Sequence, residues 1–203
     1  MLPVHPIMQE SFAVIDREIG NHNFSPAEYA IVRRVIHSTA DFEFKDLIRF
    51  SPGAIETAIA GLQQGVPVVT DVGMVKQGVA NLLRKTFNNP LLAAVECASS
   101  PLPGKTRSAT GMLKCALKFP NAIFVIGNAP TALLALCSHL NNSTATLPTL
   151  IIGAPVGFVS VIESKAALAQ TSVPQIRVEG RKGGSPVAAA ILNALVVLAS
   201  EKK

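Results

Sequence analysis

From about residue 65 onward, short apolar runs alternate with longer stretches of helical pattern, and few folds accommodate that rhythm. The runs cover residues 66–70, 93–97, 122–127, 150–153 and 175–178. They are too short for helices and are bounded by polar or Gly/Pro-rich turns, so each is expected to be a strand. Between and after them lie the helical stretches 74–85, 131–140, 160–169 and 186–200. A strand that returns through a helix to a parallel neighbour does so by a right-handed crossover, which covers the sheet on both faces. The expected fold class is therefore α/β, a three-layer α/β/α unit with a mostly parallel five-stranded sheet.

Residues before 65 carry a helical segment instead. Ser25-Pro26-Ala27-Glu28 combines a capping serine, a first-turn proline and a capping-box glutamate ahead of a helix over 29–37. Ser51-Pro52-Gly53-Ala54 is a second start signal. With 203 residues and no repeat, linker or low-complexity segment, the whole of 1–203 is expected to form a single domain.

Which functions does the composition leave open? Hydrophobic residues make up 49% and charged residues 15%, so an aliphatic core is available and disorder is excluded. The net charge of +5, from 18 Lys and Arg against 13 Asp and Glu, includes no long basic run that would track a nucleic-acid backbone. An anionic small molecule suits it better. The apolar stretch 187–199 is too short to span a bilayer and contains Asn193, so it reads as a buried helix. The start, Met1-Leu2-Pro3-Val4-His5-Pro6, lacks the basic and apolar regions of a signal peptide. Cys97, Cys115 and Cys137 form no CxxC pair, which favours reduced thiols in the cytoplasm over a disulfide framework or a thiolate zinc site.

In open parallel sheets ligands bind beyond the carboxyl ends of the strands, so the turns after the runs are where chemistry is expected. These turns carry Asp71 and Lys76, then Lys105-Thr106-Arg107-Ser108, Asn128, residues 153–158, and Arg181-Lys182-Gly183-Gly184-Ser185. The last places two cations and flexible backbone before a helix whose cap is expected at Ser185. Helix-start N–H groups and guanidinium or ammonium groups together favour a carboxylate or phosphate. A glycine turn with solvated cations is the plainer alternative. Thr106-Arg107-Ser108 is a second clamp of the same kind, or an ordinary helix cap beside a surface arginine.

His37 follows Arg34 by three positions near a helix end, on nearly the same face. The imidazole suits proton exchange near neutral pH, although Arg34 disfavours its charged form unless ligand carboxylates offset that effect. A structural or solvated histidine is the alternative. Asp71 and Glu163 are acid or base candidates that also fit helix capping and solvent exposure. The GxxxxGK[ST], GxGxxG and GxSxG spacings are absent, and so is any His/Asp/Glu cluster with metal-ligand spacing.

Several motifs together carry a resemblance. Val35-Ile36-His37-Ser38-Thr39-Ala40-Asp41-Phe42-Glu43-Phe44, Val69-Thr70-Asp71-Val72-Gly73-Met74-Val75, Thr106-Arg107-Ser108-Ala109, the Ile-Gly-Asn-Ala-Pro-Thr core within 122–133, Gly153-Ala154-Pro155-Val156-Gly157-Phe158 and residues 180–190 occur in that order. In this the chain resembles the precorrin-8X and cobalt-precorrin-8 methylmutases from about Pro6 to Leu195. The resemblance implies an isomerase of corrin-ring biosynthesis. It would shift a methyl group between adjacent ring-C carbons to give hydrogenobyrinate or its cobalt counterpart, cobyrinate, without redox cofactor or catalytic metal.

It further implies His37 as proton donor and acceptor, with Ser11, Arg34 and Arg107 contacting a polycarboxylate corrinoid. Thr106, Ser108, Asp71, Met74, Arg181, Lys182, Gly183, Gly184 and Ser185 follow by motif position. A homodimer with active sites near the subunit interface is implied, along with transient contact with neighbouring pathway enzymes and no nucleic-acid or membrane partner. Asp41-Phe42-Glu43-Phe44 looks closer to the cobalt-dependent branch. A non-catalytic corrinoid carrier and a nucleotide-binding α/β domain remain as alternatives. In a thermal-shift screen, neither ATP nor NAD is expected to raise the melting temperature, and a rise with either would favour the nucleotide reading.

Overall fold

The computed structural model of the chain describes residues 5–141 and 146–201. Residues 1–4, part of the stretch read above for a signal segment, lie outside them. Helix α1, Pro6–Glu18, is followed by α2, Pro26–Thr39, whose start shows the expected capping box. Ser25 Oγ accepts the Glu28 N–H at 3.3 Å, and Glu28 Oε2 accepts the Ser25 N–H at 2.8 Å. The helix stops at Ala40, which turns left-handed with φ 53°. A single helical turn, α3 (Phe44–Leu47), leads into β1, Ile48–Phe50.

The second start signal works differently from the reading above. Helix α4, Ala54–Gln63, begins after Gly53 at φ 71°, while Ser51 Oγ accepts the N–H of Gln175 at 2.8 Å. Ser51 thus fastens a sheet edge and caps no helix. The alternating part then gives β2 (Val68–Thr70), α5 (Gly73–Thr86), β3 (Leu91–Ala93), a 3₁₀ turn at Ala94–Glu96 and α6 (Arg107–Lys118). It continues through β4 (Ile123–Ile126), α7 (Pro130–Asn141), β5 (Leu150–Gly153), α8 (Val161–Ala169), β6 (Gln175–Val178) and α9 (Ser185–Glu201).

The α/β fold class and the mostly parallel sheet are as expected, but the sheet has six strands rather than five, in the order β1-β6-β5-β4-β2-β3. The additional strand, β1, pairs antiparallel with β6. It is only three residues long, too short for a period-two pattern to show. The strand expected at 93–97 is displaced to Leu91–Ala93. Its intended second half folds into the 3₁₀ turn, where α6 packs so closely that a Cβ on Gly111 would lie 1.7 Å from the carbonyl oxygen of Ala94.

Alternation along the strands feeds two cores. Ile123 and Val125 of β4 join the layer of α1, α2, α4, α5 and α9, whereas Phe124 and Ile126 join that of α6, α7 and α8. Each fully buried Val, Leu or Ile contributes about 1.5–3 kcal/mol, and α9 alone buries Val187, Ile191, Leu192, Leu195 and Val196. That helix is a core element, and among the described residues no helix is long and apolar enough to cross a membrane. Because β1 is antiparallel, Ile48 lies beside Val178 at the carboxyl end of β6. The connection from α2 therefore reaches the same sheet edge as the turns that follow the parallel strands. Replacing Gly111 with Ala should lower stability by roughly 1–3 kcal/mol through overpacking against the Ala94 carbonyl, read from urea unfolding.

Candidate active site

At the carboxyl edge of the sheet, Asp71 follows β2 and is fully buried. Oδ1 accepts the N–H groups of Val72 and Gly127 at 3.0 and 3.1 Å, and Oδ2 accepts those of Asn128 and Ala129 at 2.7 and 2.6 Å. Burial raises its pKa against the opposing effect of these four donors. Both oxygens are thus engaged with backbone, and Asp71 shapes the turn before α7 from beneath.

The turn after β6 is built on glycine geometry. Gly180, Gly183 and Gly184 have φ of 67°, 152° and 118°, and a Cβ on Gly183 would lie 2.4 Å from the Ala154 carbonyl oxygen. Gly184 donates its N–H to that oxygen at 2.8 Å, and its own carbonyl accepts the Ala188 N–H. Gly184 therefore occupies the capping position expected for Ser185, which is the first residue of α9 and is buried.

Lys182 and Arg181 of this turn differ sharply. Lys182 Nζ donates to Asp41 Oδ2 at 2.6 Å and Glu43 Oε2 at 2.7 Å. Its pKa is raised by these hydrogen bonds, first to Asp41 and then to Glu43. The pairing ties the turn to the segment just after His37. The Arg181 guanidinium sits over the ring of Phe158 at 5.9 Å and, among the described residues, has no carboxylate within ion-pair distance. Phe158 and Val159 are 85% and 81% exposed and Met74 is 70% exposed, so this edge presents apolar surface beside its cations.

The second clamp lies at the start of α6. Thr106 Oγ1 accepts the Ala109 N–H at 3.2 Å and lies 2.9 Å from Thr131 Oγ1. Arg107 donates to the Val95 carbonyl at 3.0 Å and is otherwise exposed, while Ser108 is half-buried.

On the helical layer, α1 runs antiparallel to α2, and Phe12 meets His37 edge-on at 5.3 Å between centroids. Ser11, the neighbour of Phe12, is half-buried, and His37 is exposed at the end of α2. Arg34, one turn earlier, lines an open groove of about 670 Å³ with Met8, Phe12, Arg33, Lys85 and Leu198. Burial lowers the Arg34 pKa, and no carboxylate among the described residues pairs with it, unlike Arg33, which binds Asp16 at 3.0 Å.

The structure thus divides the candidate residues into two groups. Ser11, Arg34 and His37 stand on α1 and α2. Asp71, Met74, Thr106, Arg107, Ser108 and residues 181–185 stand on the turns after the strands and on the first residues of the helices that follow, joined to the first group through the Lys182 ion pairs. Sequence reasoning missed Phe158 as a separate candidate, although an apolar pair in a Gly/Pro-rich turn was a signal. It also missed Lys165, buried on α8, which looked like any helical lysine. Asp71→Asn should destabilise the fold by roughly 1–3 kcal/mol, because the new amide faces N–H donors; an unchanged urea midpoint would refute this account of Asp71.

The sequence profile of precorrin-8X methylmutase matches residues 6–198. The cobalt-precorrin-8 methylmutase of Synechocystis sp. is 54% identical over 98% of either chain. The precorrin-8X methylmutase of Pseudomonas aeruginosa is 38% identical over 93% of each. The crystal structure of the precorrin-8X methyl mutase from Thermus thermophilus superposes with a TM-score of 0.87 at 40% identity, over 98% of this chain and 99% of that one. With these matches and the shared fold, the chain belongs to the precorrin-8X methylmutase family.

Proposed function

We propose that this chain is a corrin-ring methylmutase, an isomerase of cobalamin biosynthesis whose substrate and product are polycarboxylate corrinoids, and that cobalt-precorrin-8 is its substrate. The methyl group moves within one molecule, so the protein must hold the macrocycle, position the acceptor carbon and manage one proton. Support for the cobalt form comes from the Synechocystis relative, a cobalt-precorrin-8 methylmutase, and from the likeness of Asp41-Phe42-Glu43-Phe44 to the cobalt-dependent branch.

His37 is assigned as the proton donor and acceptor, and the observation that carries this is its placement. It is exposed, oriented by Phe12, and preceded one helical turn earlier by a half-buried arginine with no carboxylate partner among the described residues. A cation kept without a protein counter-ion suits a ligand that brings its own. Substrate carboxylates near His37 would favour its protonated form against Arg34, and proton transfer to the conjugated ring would lower the barrier to migration.

Arg107 and Arg181 act as further carboxylate clamps, helped by Thr106, Ser108 and the backbone of Gly183 and Ser185, while Gly184 fixes the turn by its bond to the Ala154 carbonyl. Met74 and Phe158 offer apolar contact to the ring. Ser11 lies beside Phe12 at the His37 end. Lys182 and Asp71 work indirectly, the former as a strut between the turn and α2 and the latter by shaping the turn before α7. We further infer one domain over 1–203, a cytoplasmic protein, a homodimer that brings the two groups of residues closer to one ligand, and passing contact with neighbouring pathway enzymes.

The carrier reading uses the same anion clamps and differs in chemistry alone. Mixed with cobalt-precorrin-8 or precorrin-8X, the purified protein should convert the absorption spectrum over time, faster for the cobalt form. His37→Ala should reduce turnover by about a hundred- to ten-thousand-fold while retaining corrinoid binding. Stoichiometric binding without conversion by the wild-type chain would leave the carrier ahead.

A further inference from the structure

Lys165 lies on α8, is 2% exposed, and donates from Nζ to the carbonyl oxygens of Gly180 and Lys182, each at 2.7 Å. These carbonyls come from either side of Arg181. For one ammonium to meet both, the chain must turn them inward together, which the positive φ of Gly180 and Gly183 permits. The intervening carbonyl, of Arg181, accepts the Gly157 N–H at 3.3 Å. Three successive carbonyls are therefore occupied by protein. The N–H groups of Arg181, Lys182 and Gly183 have no acceptor among the described residues. A trans peptide sets its N–H opposite its carbonyl, so the N–H groups of Arg181 and Gly183 point away from Lys165, and unpaired backbone N–H groups of this kind suit an anion.

We propose that Lys165 is a positioning residue for substrate binding: by gripping the Gly180 and Lys182 carbonyls it presents the N–H groups of 181–183, with the Arg181 guanidinium, as one carboxylate cradle. This rests on the methylmutase reading above. The ammonium also contributes positive charge from beneath the turn. Burial pushes its pKa down to about 8, opposed by the nearby Glu179 carboxylate, so it stays largely protonated at neutral pH. Substrate never touches Lys165; it senses only the shape and charge of the turn.

The test uses steady-state turnover of cobalt-precorrin-8 by the wild-type chain, Lys165→Met and Lys165→Arg, with a thermal melt of each. Lys165→Met should raise KM by roughly ten- to a hundredfold and leave kcat within about threefold, since the cradle binds substrate and transition state alike. Lys165→Arg, which keeps two N–H donors, should recover most of that loss. A lower melting temperature with unchanged KM would make Lys165 a structural plug and overturn the proposal. In the wild-type chain, hydrogen exchange of the 181–183 amides should slow when the product cobyrinate is added. Unchanged exchange would overturn it as well, and this decides the matter if neither variant folds. If the wild-type chain binds the corrinoid but converts none, the methylmutase reading fails and the exchange result still tells whether the turn is the cradle.

Discussion

The carboxylate of Asp71, buried at the end of β2, receives N–H groups from Val72, Gly127, Asn128 and Ala129, and the architecture of the carboxyl edge depends on it. Two neighbouring strands, β2 and β4, end at this point, and their turns must diverge toward α5 and α7 without stranding backbone donors in the interior. A single anionic side chain satisfies four such donors. Its own backbone continues the sheet, with its N–H on the Val125 carbonyl and its carbonyl accepting from Val95. The starts of α5 and α7 are thereby held by a side chain that turns into the interior.

The other half of the edge is organised by cations in two roles. Lys165 and Lys182 are consumed by protein oxygens, one holding carbonyls from beneath and the other reaching Asp41 and Glu43 across the surface. Arg34, Arg107 and Arg181 have no carboxylate partner among the described residues. The division follows side-chain chemistry. A compact ammonium serves well as a point contact that converging oxygens can surround, whereas a planar guanidinium keeps donors available for a bidentate carboxylate while packing on a ring, as Arg181 does on Phe158. The basic residues that look alike in the sequence are thus partly struts and partly cations without a carboxylate partner among the described residues.

Much of this was legible beforehand because it is local. The Ser25–Glu28 capping box, the Thr106 cap and the helices around the sheet depend on residues a few positions apart. The alternation after residue 65 named the α/β class because strands buried on both faces read as continuous apolar runs. What escaped notice was decided by distant partners. The edge strand β1 exists through its pairing with β6, and Ser51 serves Gln175 across the sheet instead of its own helix. The Ala94–Glu96 segment bends because Gly111 brings α6 against it.

By itself, the sequence determined the fold class, the family to which the chain belongs, and the residue types gathered in its turns. Helix caps, apolar periodicity and contiguous motifs are properties of neighbouring residues and survive without coordinates. Tertiary structure alone decided what each polar group faces. Asp71 turned inward to backbone donors, Lys182 toward two acids some 140 positions away, and Lys165 beneath a turn that follows it by 15 to 17 residues. A charged group's role depends on which partners reach it and how much water is excluded, and both are set only when separate elements pack together.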